Sequence, residues 1–142
     1  MKDNMPSWVS GYIGIPFAEK GRDRDGCDCW GLVRLVLQDI YGVKDLPAYT
    51  ETYSDTKDTE NLPRVYETEA ERDWIRIDAD QELPGDVVLM RIRAVPMHVG
   101  VVIAKGWMIH VCEGIDSTRE RYDGLEWRSR IIGYFRHKSL QD

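Results

Sequence analysis

The 142-residue chain has no uninterrupted apolar stretch approaching the roughly 20 residues that a membrane-spanning helix needs, so it is not expected to cross a bilayer. Its opening residues, MKDNMPSWVS, hold one lysine, then Asp3, and no apolar segment of the length a secretory signal requires. Synthesis in the cytoplasm without a signal peptide is the expectation. Basic residues are also short, 19 Lys and Arg against 25 Asp and Glu, a net charge of −6 and a pI near 5.1. Nucleic-acid affinity comes largely from cations that neutralise phosphates, so no nucleic-acid partner is expected. Cysteine is scarce. Of the three, Cys27 and Cys29 are one residue apart, a spacing that would close a small, strained ring if oxidised, which excludes a disulfide framework. No second close pair of Cys or His completes four zinc ligands, and no metal or cofactor is implied. Internal repeats and low-complexity tracts are absent as well.

What remains is the composition of a globular protein, 42% hydrophobic and 31% charged, long enough for one domain over residues 1–142. From Trp30 to Tyr41 the residues Leu32, Val33, Val36, Leu37 and Ile40 recur at three- and four-residue steps, the period of a helix with one buried face. Asp28 stands where a side-chain oxygen caps the first free amides, and Gly42 where a helix ends. Residues 44–73 are rich in Asp, Glu, Thr and Lys, and read as a polar surface insertion with a weak helical pattern near Leu62, Val65, Tyr66 and Ala70. Strand-like runs follow at 74–77, 87–92, 98–104, 107–112 and 131–136, with turn signals at Leu83-Pro-Gly85, Val95-Pro96 and Lys105-Gly106. A helix followed by about five sequential strands predicts an α+β domain with an antiparallel sheet packed on the helix.

Cys29 falls at the start of the predicted helix, where exposed amides and the helix dipole lower a thiol's pKa. A cysteine there is equally the small apolar residue with which a core helix begins. His98 and His110 lie on successive strand-like runs, and histidine is the side chain suited to take a thiol proton near neutral pH. Two unrelated histidines on a half-exposed sheet would look the same. Cys27 reads as a bystander, Cys112 as core, and His137 as part of a solvated tail. The five tryptophans read as core and rim rather than as a sugar-binding row.

The strings Gly14-Ile-Pro-Phe17, Gly26-Cys-Asp-Cys-Trp-Gly-Leu-Val33, Leu83-Pro-Gly-Asp-Val-Val88, His98-Val-Gly-Val-Val-Ile103 and Met108-Ile-His110 resemble the NlpC family of papain-like cell-wall cysteine peptidases over nearly the whole chain. The wording around residues 21–33, with Trp127-Arg-Ser-Arg-Ile-Ile-Gly-Tyr-Phe-Arg136, resembles its phage and prophage tail subgroup. The resemblance implies N-terminal helices on a central antiparallel sheet of five to six strands, with the nucleophile at a helix N-terminus. It assigns Cys29 as nucleophile, His98 as base and His110 as its orienting partner. It also puts Asp28, Trp30, Phe17 and Tyr12 near the substrate. The implied reaction is hydrolysis, through a thioester, of an amide in the peptidoglycan stem peptide, typically between D-glutamate and a diamino acid. A tail subunit would be carried in the virion to the host wall by other tail-tip proteins. Two departures stand out: Phe17 replaces a tyrosine usual twelve residues before the nucleophile, a hydroxyl that only Tyr12 is placed to supply, and Trp30 replaces a frequent serine. A catalytically weak structural tail component and an acyl or amide transferase are the competing readings.

Strand parity adds a geometric requirement. A regular two-residue turn at Lys105-Gly106 would put His98 and His110 on opposite faces. The catalytic reading therefore predicts an odd-length loop or a bulge in that hairpin, with one ring nitrogen of His98 near the Cys29 sulfur and the other facing His110.

Overall fold

A computed structural model of the chain describes residues 5–141; the first four residues, on which part of the leader reading rests, and Asp142 lie outside the described residues. Helix α1 (Cys29–Tyr41) forms where the apolar periodicity places it. Asp28 Oδ1 accepts from the Gly31 amide at 2.9 Å, and Gly42 takes a left-handed φ of 69° as the Val43 amide returns to the Leu37 carbonyl at 2.9 Å. Its inner face, Leu32, Val33, Val36 and Leu37, is at most 1% exposed. Each such side chain contributes about 1.5–3 kcal/mol relative to exposure.

A small hairpin, β1 (Arg22–Asp23) and β2 (Gly26–Cys27), precedes α1, and α2 (Asn61–Ala70) follows it. The remaining strands are β3 (Trp74–Ile77), β4 (Val87–Ile92), β5 (Val95–Ala104), β6 (Trp107–Cys112), β7 (Ile115–Arg121) and β8 (Ile131–His137). They form one six-stranded antiparallel sheet in the order β3-β8-β4-β5-β6-β7. Alternation along the strands splits the apolar side chains. Val87, Leu89, Val99, Val101 and Ile109 join the main core with α1 and α2, while Val88, Met90, Val102 and Met108 pack with Tyr122, Trp127 and Tyr134 on the other face.

Three features differ from the sequence reading. Residues 44–73 do more than cover the surface: Leu46, Tyr53, Leu62, Val65 and Tyr66 are all at most 4% exposed. Polar neighbours hide a sparse apolar stripe that becomes the inner face of α2. The turn between β4 and β5 falls at Arg93-Ala94, with φ of 56° and 70°, not at Val95-Pro96. Pro96 instead sits within β5 beside Met97, an extra residue that breaks the ladder between Met90 and Arg91, and such irregularities are where a strand tolerates proline. Strand β7, IDSTRER, was not foreseen because its charges read as loop. It is an edge strand, where charge guards against pairing with another chain.

Candidate active site

The cap of α1 sets the position of Cys29. Asp28 is fully buried, and its Oδ1 also accepts from Arg22 Nη1 at 2.8 Å. Its Oδ2 accepts from the Lys20 amide at 3.0 Å and from the Tyr53 hydroxyl. With four donors on two oxygens, Asp28 ties the preceding loop and the 44–60 segment to the helix start and has no role in a substrate contact. Gly31 permits this closeness, since a Cβ there would lie 2.1 Å from the Gly21 carbonyl oxygen.

Cys29 and His98 line one cleft of about 250 Å³, together with Phe17, Thr56, Lys57, Thr59, Ile92, Arg93, Met97, Cys112 and Glu113. The Lys57–Glu113 ion pair, 3.0 Å long and well exposed, links two of its walls. The Val99 amide, next to His98 in the chain, points at the Cys29 sulfur.

The β5–β6 hairpin meets the parity requirement. Ala104 pairs with Trp107 across a two-residue turn, but Val102 pairs with Met108 and Val101 with Ile109, so Ile103 is a bulge. Even positions then face even positions, and the register continues to Gly100 opposite His110. A Cβ on Gly100 would lie 2.8 Å from Met108 Sδ and 3.4 Å from His110 Cβ, so its absence lets His110 lean toward His98. His98 Nε2 and His110 Nδ1 are 2.8 Å apart. Trp127 stacks on His98 with centroids 5.1 Å apart and meets His110 edge-on at 5.6 Å, covering the pair.

The thiol's side-chain hydrogen bond is to the Tyr66 hydroxyl, at 3.1 Å, rather than to His98. Nor is its pKa depressed: burial, with the adjacent Asp28 carboxylate, pushes it up to about 12, outweighing the hydrogen bonds from the Tyr66 hydroxyl and the Val99 and Trp30 amides. Burial, and then His110, lowers the pKa of His98, so the resting pair is neutral thiol and neutral imidazole.

The other expected contacts divide. Phe17 lines the cleft beside Cys29. Tyr12 does not supply the missing hydroxyl, because its own donates to Asp39 at 2.9 Å and its ring lies under Arg24 at 4.1 Å. Trp30 is 2% exposed, donates from Nε1 to the Pro47 carbonyl at 2.8 Å and packs on Tyr49 and Tyr66, so it is core and not substrate contact. Cys27 is buried under the helix start, away from the cleft lining. Cys112 was expected in the core yet lines the cleft, because β6 ends there.

A thiol at the start of a helix packed on an antiparallel sheet, sharing a cleft with an imidazole braced by a second histidine, defines the papain-like α+β class. Comparison with known proteins narrows this. The sequence model of the NlpC/P60 family matches residues 14–136, and the chain belongs to that family. It is 25% identical over 133 residues to the probable endopeptidase NlpC of Escherichia coli K12, covering 92% of this chain and 72% of that protein. Its fold is similar to the NlpC/p60 domain of the peptidoglycan hydrolase SagA, with a TM-score of 0.62 at 20% identity over 89% of this chain and 90% of that one. An NlpC/P60 family protein of Bacillus cereus gives a TM-score of 0.62 at 16% identity, over 94% of this chain and 41% of that longer one.

Proposed function

We propose that the protein is a cysteine peptidase that hydrolyses an amide bond of the peptidoglycan stem peptide, between D-glutamate and a diamino acid, as a phage or prophage tail-associated enzyme. The observation that carries the chemistry is the single cleft holding Cys29 and His98, with His98 hydrogen-bonded to His110. Membership of the NlpC/P60 family and the names of its relatives support the wall peptide as substrate. The cleft also carries Arg93, a cation suited to a free carboxylate of such a peptide. The tail role rests on the wording of residues 21–33 and 127–136, and its partners would be other tail-tip subunits.

In the reaction His98 Nδ1, the nitrogen that His110 leaves available, takes the Cys29 proton as the sulfur attacks the carbonyl carbon. Because the resting pair is neutral, deprotonation accompanies attack rather than preceding it. The Cys29 amide, one of the first in α1 and without a partner inside the helix, is placed to donate to the developing oxyanion. The protonated imidazole then gives its proton to the leaving amine, and water, deprotonated by His98, hydrolyses the thioester.

Digestion of purified peptidoglycan followed by mass analysis of the fragments tests this. Release of fragments ending at D-glutamate, abolished by Cys29→Ala and by iodoacetamide but not by a chelator, is expected. Intact wall after prolonged digestion, or full activity in Cys29→Ala, would overturn it. Recovery of the protein in purified tail particles tests the tail assignment.

A further inference from the structure

The line of imidazoles does not end at His110. Glu120, on β7, places Oε1 2.7 Å from His110 Nε2. It reaches there by strand geometry: His110 pairs with Thr118 and Met108 with Glu120, so Glu120 is the diagonal neighbour of His110 on the same face, as His110 is of His98. Three adjacent strands thus present His98, His110 and Glu120 in a row. The row runs from a carboxylate 39% exposed to imidazoles 1–2% exposed.

A carboxylate only accepts, and a neutral imidazole has one nitrogen that donates and one that accepts. Facing Glu120, His110 Nε2 must carry the ring proton, which leaves Nδ1 a bare acceptor. Facing that acceptor, His98 Nε2 must carry its proton in turn, which leaves His98 Nδ1 with a lone pair. That lone pair is what a general base requires. Reversing both tautomers preserves the 2.8 Å contact between the rings but puts the proton on His98 Nδ1, where it cannot take one from a thiol. The hydrogen bond between the histidines therefore does not choose between a working and an idle base.

We propose that Glu120 is a positioning residue that makes this choice, fixing the tautomers of both histidines in series so that His98 faces the thiol unprotonated. It touches neither substrate nor nucleophile. The proposal rests on His98 serving as the base, as assigned above, but not on the identity of the bond cleaved. When the S–H bond breaks and the N–H bond forms at His98 Nδ1, the positive charge on the imidazole is also answered by the carboxylate through His110.

The test is an imidazole long-range ¹H–¹⁵N spectrum at neutral pH on ¹⁵N-histidine-labelled full-length protein, with the three histidines assigned by single substitution. Wild type is expected to show His98 and His110 both protonated at Nε2. Glu120→Gln, whose amide can turn to donate, and Glu120→Ala are expected to move a substantial share of His98 to the Nδ1–H form. The same variants should slow alkylation of Cys29 by iodoacetamide and lower kcat about 10–100-fold with KM little changed, by analogy with losses seen when an orienting partner is removed. Glu120→Asp should restore part of both. Thermal unfolding shows which variants are folded, and the wild-type spectrum decides the matter even if none is. Nδ1–H on His98 in wild type, or unchanged tautomers and alkylation in folded Glu120→Gln, would overturn the proposal. Wild-type tautomers as expected, alkylation slowed in the variants, and no cleavage of peptidoglycan would leave it standing while sinking the assigned substrate.

Discussion

Replacing Tyr66 by phenylalanine isolates one oxygen atom. The hydroxyl is 3.1 Å from the Cys29 sulfur, its residue is 4% exposed, and burial raises its own pKa well above the usual value, so it stays a donor. Against the neutral thiol of the resting enzyme the bond is ordinary, and its loss should cost about 1 kcal/mol of stability or less. Against the thiolate character that develops during attack it becomes a bond to charge, contributing about 1.5–3 kcal/mol. The difference, about 0.5–2 kcal/mol, converts to a fall of roughly two- to thirtyfold in kcat, and of similar size in the alkylation rate of Cys29 at fixed pH. Peptide mapping by mass spectrometry separates Cys29 from buried Cys27 and half-buried Cys112. Equal alkylation rates and equal kcat in a stably folded Tyr66→Phe protein would refute the argument, and the hydroxyl would then be a packing contact only.

Acidification should weaken the fold through His98. It is buried and its pKa is lowered from 6.5 to about 3, so between those values the unfolded chain holds a proton that the folded chain does not. Stability is therefore full above pH 6.5 and falls by about 1.4 kcal/mol for each unit below it; urea midpoints at pH 7, 6 and 5 should show a slope that His98→Asn reduces by about one proton. Gly100→Ala should reduce kcat at least tenfold while the protein still folds, because the new methyl crowds His110 and Met108; unchanged kcat would show that the hairpin relaxes without cost. Arg93→Ala should raise KM several-fold for a carboxylate-bearing stem peptide with kcat kept, and an unchanged KM would remove Arg93 from substrate recognition.

The parts of the molecule that were legible in the sequence are those governed by local pattern. Helix α1 and its two caps follow from a 3.6-residue period, Asp28 and Gly42, and Cys29, His98 and His110 stand out as candidates through short motifs. Even the Ile103 bulge was accessible, since parity demanded some irregularity. What was hidden depends on distance in the chain. Tyr66 lies 37 residues from the sulfur it touches, within a segment whose charges masked its inner face. Glu120 sits on a strand that its own charges disguised, and pairing β7 with β6 was needed to bring it to His110. Asp28, Trp30 and Tyr12 adjoin the motifs, which made them look like substrate contacts. Burial and their hydrogen bonds give them to the scaffold instead. The thiol's pKa was misjudged because sequence shows the helix start but not how deeply it is covered.

The bulge at Ile103 makes the hairpin a counting device. Because strand faces alternate with a period of two, a change in its paired length acts on the histidines through arithmetic before it acts through chemistry. Two residues added to the Lys105-Gly106 turn leave every pairing above it intact, and so does deleting Ile103, since Val102 still meets Met108; drawing Ile103 into the ladder instead would send His98 and His110 to opposite sides of the sheet with neither side chain altered. Deletion of a paired residue between the bulge and the histidines, such as Val101, should thus silence the site as completely as removing a histidine, whereas deletion of Ile103 should leave the two imidazoles on one face.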